Sequence, residues 1–198
     1  MASIGLKRFR YAPLSLSTIE NVVTETYGTP ATLAGAIECN ITVNKSEATL
    51  YCDDAIKESA AVFQSGTITL GIDEDDDEIF ASLLGQTVSA PSNGDDPGTG
   101  LVTSNVNDTP IYVGFGHVIV KLVDNVRKYK IEFFPKVQFK PFVTSSKTKA
   151  DTLEFTTPSV EATIFQNLNG DWEKHNTFTT EAGAYTALDA LFTPTTTP

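Results

Sequence analysis

The densest concentration of chemistry-bearing side chains is the run GIDEDDDEIF, residues 71–80, with six acids in ten positions. Asp73, Asp75 and Asp77 alternate as the first three ligands of a calcium loop do, where carboxylates converge on one hard cation. The remainder does not fit. A helix–loop–helix calcium site needs glycine at its sixth position and a bidentate glutamate at its twelfth, and Glu78 and Leu84 stand there. A capping reading accounts for the run better: a strand ends at Ile72, the acids open a short helix over DDEIFASLLG, and Gly85 closes it. Carboxylates in a first turn face the positive end of the helix dipole, and a glycine just past the last turn takes the left-handed conformation cheaply.

Other sites of chemistry are sparse. His117 and His175 each lie in a strand pattern, with no second His, Cys or acid at metal-ligand spacing, so each reads as a packed or surface imidazole. The chain has no G-x-S-x-G elbow, no phosphate-cradling glycine loop and no H-E-x-x-H. The GFG at 114–116 is better explained by close strand packing than by a cofactor. A carboxylate pair for glycoside hydrolysis is a spatial arrangement that no spacing reveals, and nothing in the sequence points to one. The expectation is a protein without catalytic, cofactor-binding or metal-binding residues.

Two cysteines do not make a disulfide framework. Around IECNITVNKSEATLYCD a hairpin with Lys45 and Ser46 at its tip splits the residues cleanly by period two. Ile37, Cys39, Ile41, Val43, Ala48, Leu50 and Cys52 fall on one face, and Glu38, Asn40, Thr42, Asn44, Glu47, Thr49, Tyr51 and Asp53 on the other. In that register Cys39 faces Cys52 as a small core pair, although Lys-Ser is not a preferred two-residue turn.

At 198 residues the chain fits one domain over 1–198. Its net charge of −11 argues against a nucleic-acid groove or an anionic membrane surface. No apolar run reaches the roughly 18 residues that span a bilayer. MASIGLKRFRYAPL lacks the apolar centre of a signal peptide, so synthesis in the cytoplasm is expected.

The positioning elements read as mainly β. GLKRFRYAP is a weak strand ended by Pro13, and residues 14–31 form a loop that completes an N-terminal arm, 1–31. SGTITLGI is a short strand feeding the acidic helix. Residues 89–110, dense in Gly, Pro, Asn, Asp and Ser, are a long loop. IYVGFGHVIVKLV and VRKYKIEFFPKVQFKPF flank Asp124-Asn125, a strong hairpin signal. DTLEFTTPSVEATIF and WEKHNTFTT follow around NLNGD. EAGAYTALDALF has helical spacing and predicts a short C-terminal helix, and 193–198 form a mobile tail. Of 14 basic residues, eight fall between 121 and 149: Lys121, Arg127, Lys128, Lys130, Lys136, Lys140, Lys147 and Lys149. Taken alone such segregation is most often a solvated face; the sharper reading is complementary patches on one molecule, which satisfy each other in copies packed head to tail.

In order, IGLKRFRYAPL, YGTPATLAGAIECNITVNKSEATLYCDD, GTITLGIDEDDDEIFASLLG, TPIYVGFGH, YKIEFFPKVQFKPF and SSKTKADTLEFTTPSVEATIF resemble the major tail proteins of long-tailed, siphovirus-type bacteriophages, over about residues 4–178. Most characteristic are the phrase K-x-K-x-D-x-x-E-F-x-T-P, Lys147 to Pro158, and the L-G-I strand followed by a helix ending L-L-G. The dense acids at 73–78 and the Gly/Asp-rich insertion near 89–104 depart from the pattern. The resemblance implies an antiparallel β-sandwich or barrel with one flanking short helix and a second short helix at the C-terminus. Copies would form six-fold rings, stacked into a tail tube whose lumen carries genomic DNA without specific binding. Other tail proteins, such as tape measure and tail-end proteins, would be its partners, and the virion tail its location, after synthesis in the host cytoplasm. Glu38, Glu47 and Asp53 are then the lumen-lining candidates. Asp73, Asp75, Asp76, Asp77 and Glu78 are expected at a subunit boundary, meeting Lys128, Lys130, Lys136, Lys140, Lys147 and Lys149 of a neighbour. The alternative is a non-enzymatic, calcium-assisted carbohydrate-binding module on a virion or cell surface, with Asp73, Asp75 and Asp77 as ligands.

Overall fold

A computed structural model describes residues 2–19, 22–53, 55–89, 100–142 and 157–192. The fold is mainly β and antiparallel, with two short helices, and among the described residues no barrel closes. Strands β1 (Ala2–Ile19), β2 (Val22–Tyr27), β3 (Ala31–Thr32), β4 (Ala36–Cys52) and β5 (Ala55–Ile72) precede helix α1 (Asp77–Leu84). The short pair β6 (Thr87–Ser89) and β7 (Leu101–Thr103) comes next, then β8 (Tyr112–Val123), β9 (Val126–Phe139), β10 (Ser159–Phe165), β11 (Lys174–Phe178) and helix α2 (Glu181–Ala190). The main sheet runs β2-β1-β8-β9-β10-β5-β4, with β11 beside β9 and β3 beside β1.

The β8–β9 hairpin forms the centre, as its sequence foretold. Asp124 and Asn125 take positive φ, 51° and 60°, the conformation a two-residue turn of the favoured hand requires and which Asp and Asn tolerate. Both strands are buried on both faces. Phe115, Phe134, Val137 and Phe139 join Phe9, Ile68, Leu70, Ile72 and Ile164 in the larger core, which α1 covers with Phe80, Leu83 and Leu84. Val118, Ile131 and Phe133 point the other way, under Ala184, Leu188 and Phe192 at α2. Lys130, Glu132, Lys136 and Gln138 interrupt the apolar residues of KIEFFPKVQF, yet the central strand is covered on both faces. The GFG glycines are packing residues. A Cβ on Gly114 would lie 2.7 Å from the Tyr27 ring, and one on Gly116 2.6 Å from Leu188.

Helix α1 forms as its sequence signals dictate. Asp76 caps it, accepting hydrogen bonds from the Glu78 and Ile79 amides at 2.9 and 3.1 Å. Gly85 ends it at φ 72°. Helix α2 is capped by Thr180 and tied to β1, where Arg8 and Arg10 both meet Asp189 and Lys7 meets Glu181.

Three expectations are corrected. Residues 14–31 are not a loop: β1 runs unbroken past Pro13 to Ile19 and pairs with β2, because Pro13 still accepts at its carbonyl and lies opposite Val113. The loop 89–110 contains β7, paired with β6, while 90–99 lie outside the described residues. The hairpin 37–53 does not turn at Lys45-Ser46. Those residues continue β4, and the chain reverses after Cys52, where Asp53 takes φ 52°. Lys-Ser offers no residue suited to positive φ, whereas Asp does. β4 pairs along its length with β5, so Cys39 lies opposite Leu70 and Cys52 opposite Ala55. The two sulfurs are thirteen residues apart on one strand and are free. The described part of the strand expected over 151–165 is β10, and its first residues, like the tail 193–198, lie outside the described residues.

Candidate functional site

β4 and β5 have two unlike halves. From Gly66 to Ile72, β5 is held between β4 and β10 and alternates buried and half-buried residues. From Lys45 to Cys52, and from Ala55 to Val62, each strand pairs only with the other among the described residues, and every described side chain is exposed. This arm leaves the body at Phe63, whose ring stacks on Trp172 at 4.8 Å and 6° and whose carbonyl accepts from Gln166. Along it Leu50, Tyr51, Ile56 and Val62 stand out at 55, 66, 63 and 63 % exposure. A lone two-stranded ribbon is marginal in water. Its free edges and apolar side chains are what a partner would cover.

A second feature lies where β1 and β4 face one another. Among the described residues, β1 over Ala2–Lys7 pairs with β8 alone and β4 pairs with β5 alone, which leaves one edge of each without a strand partner there. The groove between them, of about 330 Å³, is lined by Gly5 and Leu6 on one side and Ile37, Cys39 and Ile41 on the other. His117 and Glu132 form its floor. His117 is fully buried, with Nε2 3.3 Å from Glu132 Oε2, yet neither ring nitrogen has a hydrogen bond of good geometry among the described residues. Lys130 also meets Glu132. Burial pushes the Glu132 carboxyl up, but His117 and Lys130 beside it outweigh that and bring it down to about 2. Burial, and then the charge of Glu132, push the Cys39 thiol up to about 12, which leaves it neutral and unreactive.

The acidic candidates divide by role. Asp73 accepts from the Gly35 amide at 2.6 Å and from the Glu74 amide at 2.9 Å, clasping the turn before β4. Asp76 is the α1 cap, while Asp75, Asp77 and Glu78 are exposed. Among the described residues no group of three His, Cys, Asp or Glu side chains could hold a metal. Glu38, Glu47 and Asp53 do not share a hairpin face: they are strung along one strand and its turn. Nine residues separate Glu38 from Glu47, an odd number that turns them to opposite faces.

The basic candidates are largely engaged within their own chain. Lys130 is committed to Glu132. Lys136 lies 3.5 Å from the half-buried Glu25 and over the Tyr112 ring, and Lys140 lies 3.2 Å from Glu161. Lys128 stands opposite Lys121 beside Arg127, near the β8–β9 turn, and none of the three has an ion pair among the described residues. Lys147 and Lys149 lie outside the described residues. The antiparallel register sets this basic turn and the acidic start of α1 at opposite ends of the sheet, since Tyr112 and Ile72 end their strands far from Asp124.

Sequence reasoning missed the arm and the groove. The stretch AIKESAAVFQ, 55–64, carries small and charged residues without a clear period, and its partner had been assigned to a different turn. No protein-family model matches this chain, and no curated protein matches it significantly.

Proposed function

We propose that this chain is a structural protein that works by assembling with copies of itself, as the subunit of stacked six-fold rings forming a phage tail tube. The resemblance of its ordered segments supplies the six-fold ring and the tube. The observation that carries self-assembly is the arm over 45–62: a two-stranded ribbon that exposes Leu50, Tyr51, Ile56 and Val62 and pairs with no third strand among the described residues is costly in a solitary molecule and useful in a tiled one. Opposite charge at the two ends of the sheet favours copies that meet head to tail. Lys121, Arg127 and Lys128, rather than Lys136 or Lys140, are the cations with charge to spare.

A conduit for DNA must not hold it, because each phosphate contact slows transit, and a lining that is acidic or neutral meets that demand. Six copies would carry six times −11, or −66, per ring. Glu38 and Glu47 turn to opposite faces of β4, so of the lumen candidates Glu47, with Asp53 in the turn after the strand, is kept for the bore. In this reading the protein turns over no substrate, needs no cofactor, meets other tail proteins at the ends of the tube, and resides in the virion.

Negative-stain microscopy and sedimentation of the purified chain across salt and concentration test the proposal. Rings or tubes of uniform width are the expected result. A monomer under every condition would remove the reading.

A further inference from the structure

We propose that the groove between β1 and β4 is the receptor for the arm of a second copy of this chain, with Tyr51 as the anchor. The proposal rests on the self-assembly reading above and specifies the contact through which it occurs.

The groove and the arm lack complementary things. The groove has two free strand edges, apolar walls of Leu6, Ile37 and Ile41, and a buried imidazole without a well-formed hydrogen bond. A buried polar group left in that state is destabilising, and a hydroxyl delivered to it relieves the deficit. The arm has a free edge and, near its tip, the cross-strand pair Tyr51–Ile56, both strongly exposed. A tyrosine presents an apolar ring with a polar end, the combination that apolar walls above a polar floor require. Charge agrees with this pairing. Among the described residues, Lys57, the extra residue of the bulge beside Ile56, is exposed without an ion pair, and Glu38 at the lip of the groove has only Asn40 as a partner.

The arm cannot fill its own groove. β4 runs without interruption from the groove residues into the arm, and the ten residues from Ile41 to Tyr51 extend it by about 33 Å, pointing away. The occupant is therefore another molecule, and a second copy is always present in equal amount. Donor and receptor are different surfaces, so the contact is heterologous: each copy gives an arm to one neighbour and takes one from another. Such a contact closes into a ring or propagates.

The test follows from that asymmetry. Tyr51→Ala should raise the concentration needed for assembly by about tenfold or more, and Tyr51→Phe by a smaller factor, with thermal unfolding of the monomer unchanged because the site is exposed. Lys57→Glu or Glu38→Lys alone should weaken assembly, and the two together should restore it. A mixture of Tyr51→Ala with a groove-blocked Ile37→Asp variant retains one working arm and one working groove, and should stop at heterodimers. Hydrogen exchange of the Ile37–Ile41 amides should slow on assembly. Assembly that ignores Tyr51→Ala and the charge swap overturns this docking while leaving the tube reading in place, whereas a chain that never assembles removes both. Protection in the monomer of those Ile37–Ile41 amides that point away from β5 would show the groove filled by its own chain and would also overturn it.

Discussion

The body and the arm are built from the same two strands and obey different rules. In the body, β5 threads Ile68, Leu70 and Ile72 into a core shared with Phe115, Phe134 and Phe139, and each side chain is fixed by neighbours on other elements. In the arm the same strand carries Ala55, Ile56, Ala60, Ala61 and Val62, held only by β4. The body's order is self-sufficient, because burial of large side chains outweighs the entropy of fixing them. The arm's order is borrowed from the hydrogen bonds of a single partner strand and from the Phe63–Trp172 stack at its root. A change in the body should therefore be felt in folding, and a change in the arm in association.

The sharpest contrast is Phe134→Ala. Phe134 is fully buried between β8 and the β5 face, and its removal should cost about 3–5 kcal/mol by denaturant unfolding. A loss below about 1 kcal/mol would mean that the core is packed otherwise.

Next is Glu132→Gln, which leaves His117 and Lys130 without their carboxylate. Its folded pKa lies near 2, below the ordinary 4.5, so the ionised form favours the folded state. That contribution is fully present above about pH 4.5 and is lost as pH falls through the folded value. The unfolding free energy of the wild type should fall over that window by roughly 2–3 kcal/mol more than that of Glu132→Gln. Parallel curves would show that the carboxylate is not held by its neighbours.

Smaller again is Asp76→Ala, which removes the acceptor for two α1 amides and should cost about 1 kcal/mol. Asp75→Ala, two residues after Asp73 and without a backbone partner, is the control and should be nearly silent.

At the far end of the scale, Leu50→Ser in the arm should change monomer stability by less than about 0.5 kcal/mol, because Leu50 is already in water. A large effect would mean that the arm packs on the body, and the contrast between the two regions would disappear.

What the sequence disclosed divides along the same line. The α1 cap and its glycine stop, the β8–β9 turn at Asp124-Asn125 and the helix over 181–190 were legible because local chemistry decides them. The mainly β, antiparallel class followed from the β-branched and aromatic strands. The β4–β5 register was not legible. Period two is satisfied equally by a short hairpin turning at Lys45-Ser46 and by one unbroken strand, and only a partner distant in sequence distinguishes them. Residues 14–27 failed for a related reason: Ser and Thr in a hairpin whose described outer residues are largely exposed look like loop. The groove was illegible in principle, since Gly5, Cys39, His117 and Glu132 meet only after four strands are placed.

The two sulfurs of the described chain have opposite fates. Cys39 is walled into the groove with its proton held to about pH 12, while Cys52 sits in water at the extremity of the ribbon. A thiol-directed dye would consequently mark the ribbon's end and spare the interior. The molecule thus comes with its own attachment point for a fluorescent reporter, placed on the segment that the proposed assembly would cover.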